Sequence, residues 1–154
     1  MQPPFGRRND VDARIRQLSN KELVRGLNKK QLSADELKQL GDLFLEKGET
    51  AKAIVYLYRA ADELSANYPN KALAVYKKIL KIRPDEIKAY EKIIGVLSGE
   101  GLAAEQIKYL MIVAQFHESK NNIRETTSVY RRILDVDPDN PAAVRFFNRG
   151  KVEG

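Results

Sequence analysis

The chain has 154 residues, 43% hydrophobic and 31% charged, enough apolar material for one domain with a core. It contains no cysteine, which excludes disulfides, thiolate catalysis and thiolate metal sites. The net charge of +6 is carried by the ends: residues 1–33 hold +5, residues 34–139 hold −1 and residues 140–154 hold +2.

The opening residues read as a flexible basic arm over 1–18. Pro3, Pro4 and Gly6 interrupt structure, Arg7, Arg8, Arg14 and Arg16 repel one another, and only Ile15 and Leu18 offer anchors. Ser19 followed by Glu22 has capping-box spacing and predicts the start of a short helix within 19–33. Leu23, Val24 and Leu27 give that helix an apolar face, and Asn28, Lys29 and Lys30 read as its end.

A second capping box, Ser33 with Glu36, opens a helix bearing Leu37, Leu40, Leu43 and Phe44 and terminated by Gly48. The next helix starts at Ala51 and carries Ala53, Leu57, Ala60, Ala61 and Leu64, with Pro69 marking the turn after it. A third carries Ala72, Val75, Tyr76, Ile79 and Leu80 and stops at Pro84, because the residue before a proline avoids helical angles. The same course then runs again. Asp85 is the expected cap of a helix with Tyr90, Ile93, Ile94 and Leu97, ending near Gly101. Another carries Ile107, Leu110, Met111, Val113, Ala114 and Phe116 and ends at Asn121 and Asn122. A third carries Val129, Tyr130, Ile133 and Leu134 and stops at Pro138. Asn140 with Pro141 opens a last helix with Val144 and Phe147, terminated by Gly150 and followed by four frayed residues. No strand-like alternation occurs.

Two stretches, VYKKILKIRPD and VYRRILDVDPD, carry the repeat, with Pro84 and Pro138 lying 54 residues apart. The shared letters form the apolar stripe, whereas Lys81 and Arg83 become Asp135 and Asp137. Helix pairs closed by a proline at a fixed offset define a helical repeat. The chain resembles the tetratricopeptide-repeat (TPR) family. The resemblance rests on Leu37-x-x-Leu40-Gly41-x-x-Phe44, Ala53-x-x-x-Leu57, Ala72-x-x-x-Tyr76 with Pro84, and Thr126-x-x-x-Tyr130 with Pro138. Tyr90-x-x-Ile93-Ile94-x-x-Leu97 is a looser match to the first-helix pattern. The unit of 53–54 residues exceeds the family's ~34 and holds three helices, so the middle helix serves two partners. The resemblance implies an all-α, TPR-like right-handed solenoid of about seven antiparallel helices plus the short N-terminal helix. The domain would span 34–150, with units 34–85 and 86–139 and a terminal helix over 140–150.

Catalytic signals are absent. His117 is the sole histidine and reads as a packing or surface residue. GEGL at 99–102 lacks the Lys-Ser/Thr of a P-loop. Asp135, Asp137 and Asp139 lack the glycine and distal glutamate of a calcium loop. The expectation is a non-enzymatic adaptor without cofactor, metal or small-molecule substrate. It would bind a protein partner through a groove or its ends. Groove candidates are Lys38, Asp42, Glu91, Arg145 and Arg149. Some members of the family hold acidic tails with a Lys and an Asn one turn apart. Here those positions are Lys38 with Asp42 and Glu91 with Gly95, and the two carboxylates would repel such a ligand. Lys77, Lys78, Arg131 and Arg132 read as a solvated face. Phe146 and Phe147 are adjacent, so one is expected to be exposed as a docking or self-association surface. The alternative function is binding of nucleic acid or an anionic membrane through the arm. With Phe5 as its one aromatic, the arm lacks a stacking platform. The most apolar run, YLMIVA at 109–114, is far short of the ~20 residues a membrane span needs. MQPPFGRRND has no apolar signal core, and a cytoplasmic location is expected.

Overall fold

The computed structural model describes residues 4–27, 31–149 and 151. Among them every element is helical: α1 (Pro4–Leu27), α2 (Ala34–Glu46), α3 (Thr50–Leu64), α4 (Pro69–Ile82), α5 (Ile87–Gly99), α6 (Ala103–Ser119), α7 (Ile123–Val136) and α8 (Pro141–Asn148). No helix among the described residues is long and apolar enough to cross a membrane. The chain divides into two compact units, Met1–Pro84 and Asp85–Gly154.

In the first unit α2 packs on α1 and α3, and α3 also packs on α4. The middle helix can face two partners because small side chains leave its backbone approachable: Ala53, Ala60 and Ala61 are all fully buried. Gly41 on α2 meets Leu57 on α3, and a β-carbon at 41 would lie 2.8 Å from Leu57 Cγ and Cδ2. In the second unit α6 plays the same part between α5 and α7, and α8 covers α7. The core there joins Ile94, Leu110, Val113, Ala114, Val129, Tyr130 and Ile133.

The two units are built from the same turns. α2 and α5 begin 53 residues apart, and α4 and α7 begin 54 apart. Helix α6 has 17 residues against 15 in α3, and the turn after α6 is one residue shorter, which accounts for the change of offset. Gly48 (φ 83°) and Gly101 (φ 69°) supply the left-handed residue after α2 and α5. The paired bonds Glu49 N–Phe44 O (2.8 Å) with Gly48 N–Leu45 O (3.0 Å), and Leu102 N–Leu97 O (3.0 Å) with Gly101 N–Ser98 O (3.1 Å), close both helices as Schellman motifs. Asn121 (φ 55°) does the same after α6, where the expected end at Asn121 and Asn122 falls. Helices α4 and α7 stop at Ile82 and Val136, and Arg83 and Asp137 are extended (φ −137°, ψ 92° and φ −138°, ψ 94°) ahead of their prolines.

The N-terminal segment departs from its expectation. One helix of 24 residues replaces an arm to residue 18 and a short helix after it. Val11, Ile15 and Leu18 lie at i, i+4 and i+7, and all three are buried with Leu32, Leu37 and Leu40. That stripe binds the supposed arm to α2, and Ser19 lies inside the helix instead of capping one. Arg7 pairs with Glu46 (2.9 Å) and Asp12 with Lys47 (2.8 Å). The expected ends at Asn28, Lys29 and Lys30 and at Gly150, and the frayed last four residues (Lys151 apart), lie outside the described residues. Asp85 does not cap α5, whose N-cap is Glu86 without a side-chain bond. Asn140 does cap α8, accepting from Ala143 N at 3.2 Å with Pro141 in the first turn.

Ser33 forms the full capping box with Glu36, and Glu36 is also the anchor of α1. Its carboxylate accepts from Lys21 and from Ser33 N (3.0 Å), and pairs with Arg25 at 2.6 Å. These contacts hold its pKa down to about 2, the Lys21 bond first and the Ser33 amide second. A depressed carboxylate stabilises the fold above its unfolded value near 4.5, and that contribution is lost as pH falls from there toward 2. We therefore expect the urea midpoint of the wild type to fall between pH 7 and pH 3 by more than that of Glu36→Gln. Parallel losses in the two proteins would contradict this role for Glu36.

Candidate protein-interaction surface

The expected groove residues on α2 and α5 separate by environment. Lys38 is exposed on α2. Asp42, one turn on, is paired with Lys78 of α4. In the second unit Glu91 of α5 takes both guanidinium nitrogens of Arg132 of α7, at 2.8 and 2.7 Å. Each three-helix repeat, α2–α4 and α5–α7, thus has an ion pair between its first helix and its third. Lys78 and Arg132 are cross-helix partners and not members of a merely solvated face, whereas Lys77 and Arg131 are exposed. The pairings also offset the negative charge that Asp42 and Glu91 would otherwise present.

The tyrosines of the two repeated stretches are anchored alike. The Tyr76 hydroxyl donates to Asp62 on α3, and its ring lies 6.3 Å from Tyr58. The Tyr130 hydroxyl donates to Glu118 Oε1 on α6 at 3.2 Å. Burial, and then the neighbouring Glu118, raise the pKa of Tyr130, while Arg149 and Arg145 pull it the other way. Both guanidiniums therefore act electrostatically on this hydroxyl.

Helix α8 lies on α7 through its aromatics. Phe146 stacks on Tyr130 with ring centroids 4.4 Å apart, and Phe147 meets Phe146 edge-on at 5.1 Å. Both rings are half-buried against the second core, in place of one packed and one exposed ring. The reason is geometric: neighbours on a helix point ~100° apart, so both rings can reach the core from adjacent flanks of α8.

Two open recesses flank this contact. The first, about 470 Å³, is lined by Tyr130, Ala142, Arg145, Asn148 and Arg149. The second, about 370 Å³, is lined by Glu118, Asn121, Ile123, Thr126, Phe146 and Arg149. Arg149 borders both. It is the C-cap residue of α8, with its backbone N–H on Arg145 O at 3.1 Å. Arg145 Nε donates to Pro141 O at 3.2 Å. Neither guanidinium has a carboxylate partner among the described residues. The arrangement can hold an anion beside an apolar group.

Of the residues expected to make contacts, Arg145, Phe146 and Arg149 meet in this place. Phe147 packs beside them, and Lys38, Asp42 and Glu91 lie on other helices. Of the basic residues of α1, Lys21 and Arg25 meet at Glu36. Arg7 pairs with Glu46, and Arg14 donates to Gln17 (2.6 Å) and Gln39 (3.0 Å), whereas Arg8 and Arg16 are exposed. His117 is half-buried with its ring 5.5 Å from Phe116, and its buried Nδ1 has no hydrogen-bond partner among the described residues. Sequence reasoning missed Ile123, which is 77% exposed. It continues the stripe of Thr126, Tyr130 and Ile133 at spacings of three, seven and ten residues. The stripe is visible in the sequence, but the place where the core beneath it ends is not.

No family model matches the chain, and no curated protein matches it. Among solved structures it is similar to the C-terminal part of a TPR repeat-containing protein from Cytophaga hutchinsonii, at 20% identity and a TM-score of 0.37. The match covers 85% of this chain and 64% of that one, so the chain spans under two thirds of that structure's length.

Proposed function

We propose that the protein is a non-enzymatic adaptor that binds a protein partner through the surface formed by α6, α7 and α8. The observation that carries this reading is the pair of recesses sharing Arg149, with the exposed Ile123 lining the second. Protein contacts draw their free energy from a few aromatic, aliphatic and arginine side chains set beside desolvated hollows. Phe146, Ile123, Arg145 and Arg149 supply such a set on a helical scaffold, over the buried Tyr130.

Ile123→Asp tests the reading with little risk to the fold. The side chain is in solvent, and an acidic residue in the first turn of α7 suits the helix dipole. We expect the circular dichroism spectrum to be unchanged and at least one protein captured from native lysate by the wild type to be lost by the variant. An identical captured set would remove the reading. Capture of nucleic acid or anionic vesicles by both proteins, weakening steeply with salt, would favour a role for the arginines of α1 instead.

A further inference from the structure

We propose that the recess between Tyr130 and α8 receives a carboxylate from an acidic segment of the partner, while a neighbouring apolar side chain of that segment enters the recess at Ile123. This rests on the adaptor reading and specifies its partner.

The first recess has no acidic lining residue. Its polar lining residues are Arg145, Asn148, Arg149 and Tyr130, and the Tyr130 hydroxyl is already bonded to Glu118. Guanidinium groups favour carboxylates because their parallel N–H groups match the two oxygens. Elsewhere in this chain that match is already used by Arg132 with Glu91, and Arg25 gives one nitrogen to Glu36. Arg145 and Arg149 stand one turn apart on α8 and border one hollow without such a partner among the described residues. The basic excess of residues 140–154, +2, has the same sign.

The second recess has another character. Ile123 and Phe146 are its apolar lining, beside Asn121, Arg149 and Thr126, whose hydroxyl donates to Asn122 O of its own helix at 2.8 Å. Glu118 is engaged by Tyr130. An anion alone would leave this hollow unfilled, and a purely apolar segment would leave the arginines unsatisfied. A segment with glutamate or aspartate next to a phenylalanine or leucine meets both demands.

The test uses the full chain, labelled with nitrogen-15, and the peptide acetyl-Glu-Glu-Phe-Glu-Glu-amide. The expected result is chemical-shift change at Ile123, Phe146 and Arg149, with affinity falling as salt is raised. Arg145→Gln and Arg149→Gln should each weaken binding about ten-fold or more, the range for losing a hydrogen bond to a charged group. Both side chains are exposed, so the spectra of the variants should otherwise overlay that of the wild type. Replacing the glutamates by glutamine should abolish the shifts, and replacing the phenylalanine by glycine should weaken them. Shifts that are absent, that lie elsewhere, or that inorganic phosphate reproduces in full would overturn the proposal. The captured protein separates this failure from that of the adaptor reading. Capture lost in Ile123→Asp but retained in Arg145→Gln/Arg149→Gln would leave the adaptor and remove the acidic segment. Capture retained in both would remove the adaptor surface itself.

Discussion

Tyr76→Ala is expected to destabilise the first unit by about 3–5 kcal/mol, the range for truncating a large aromatic side chain in a core. The side chain is 1% exposed and among the largest fully buried in the chain. Its removal opens a void between α3 and α4 beside Tyr58, and it strips Asp62 of the hydroxyl it accepts from. Tyr76→Phe separates the two effects. It keeps the ring, and its cost should be near the ~1.5–3 kcal/mol of one hydrogen bond to a charged group. Urea unfolding followed by far-ultraviolet circular dichroism gives both numbers. A loss below about 1 kcal/mol for the alanine variant would show that the ring does not hold α3 to α4.

Gly41→Val should cost about 1–3 kcal/mol, the range for overfilling a packed core. The first added carbon would sit 2.8 Å from two atoms of Leu57 and 3.3 Å from the Ala53 carbonyl oxygen. Leu57 is completely buried, so it has no open space to turn into. The gain in helix propensity on leaving glycine, at most about 1 kcal/mol, works against this cost without cancelling it. The diagnostic is the pair. Leu57→Ala alone should cost about 2–5 kcal/mol. In the Gly41→Val background it should cost less, because the added methyls occupy the space it vacates. Strict additivity in denaturant midpoints would mean that α2 and α3 do not meet through this contact.

The repeated part of the fold was readable because its signals are local. The stripes Leu37–Leu40–Phe44 and Val129–Tyr130–Ile133 sit on single helices, and both are buried. Ser33, Gly48, Gly101 and Pro141 act within one turn of their own position, and they end or start helices as expected. Helix α1 was harder because its stability comes from outside itself. Four arginines and two prolines argue against order locally, and the deciding fact is that Val11, Ile15 and Leu18 find Leu32 and α2. Ser19 and Glu22 have the spacing of a cap, but Glu22 is spent on Arg59 and Tyr56 of α3.

The candidate surface was legible in part. Arg145 and Arg149 follow from their place on a polar face of the last helix. Ile123 does not, since a stripe read in one dimension shows no end to the core beneath it. The Asp42–Lys78 and Glu91–Arg132 pairs were hidden because their members lie 36 and 41 residues apart. Their spacing is also unequal in the two units, so even a perfect alignment of the repeats would not superimpose them.

That inequality bears on how two near-copies in one chain avoid exchanging parts. Under the offset of 53, Glu91 aligns with Lys38 and Asp42 aligns with Gly95. A misassembled chain that docked α5 on α4 would set Lys78 against glycine where its acid should be. One that docked α2 on α7 would bring Lys38 to Arg132, like charge on like. Apolar stripes so similar cannot tell kin from stranger, whereas a carboxylate displaced by one turn can. Each ion pair thus fits α4 to α2 and α7 to α5, and neither can form at the equivalent positions of the exchanged arrangement.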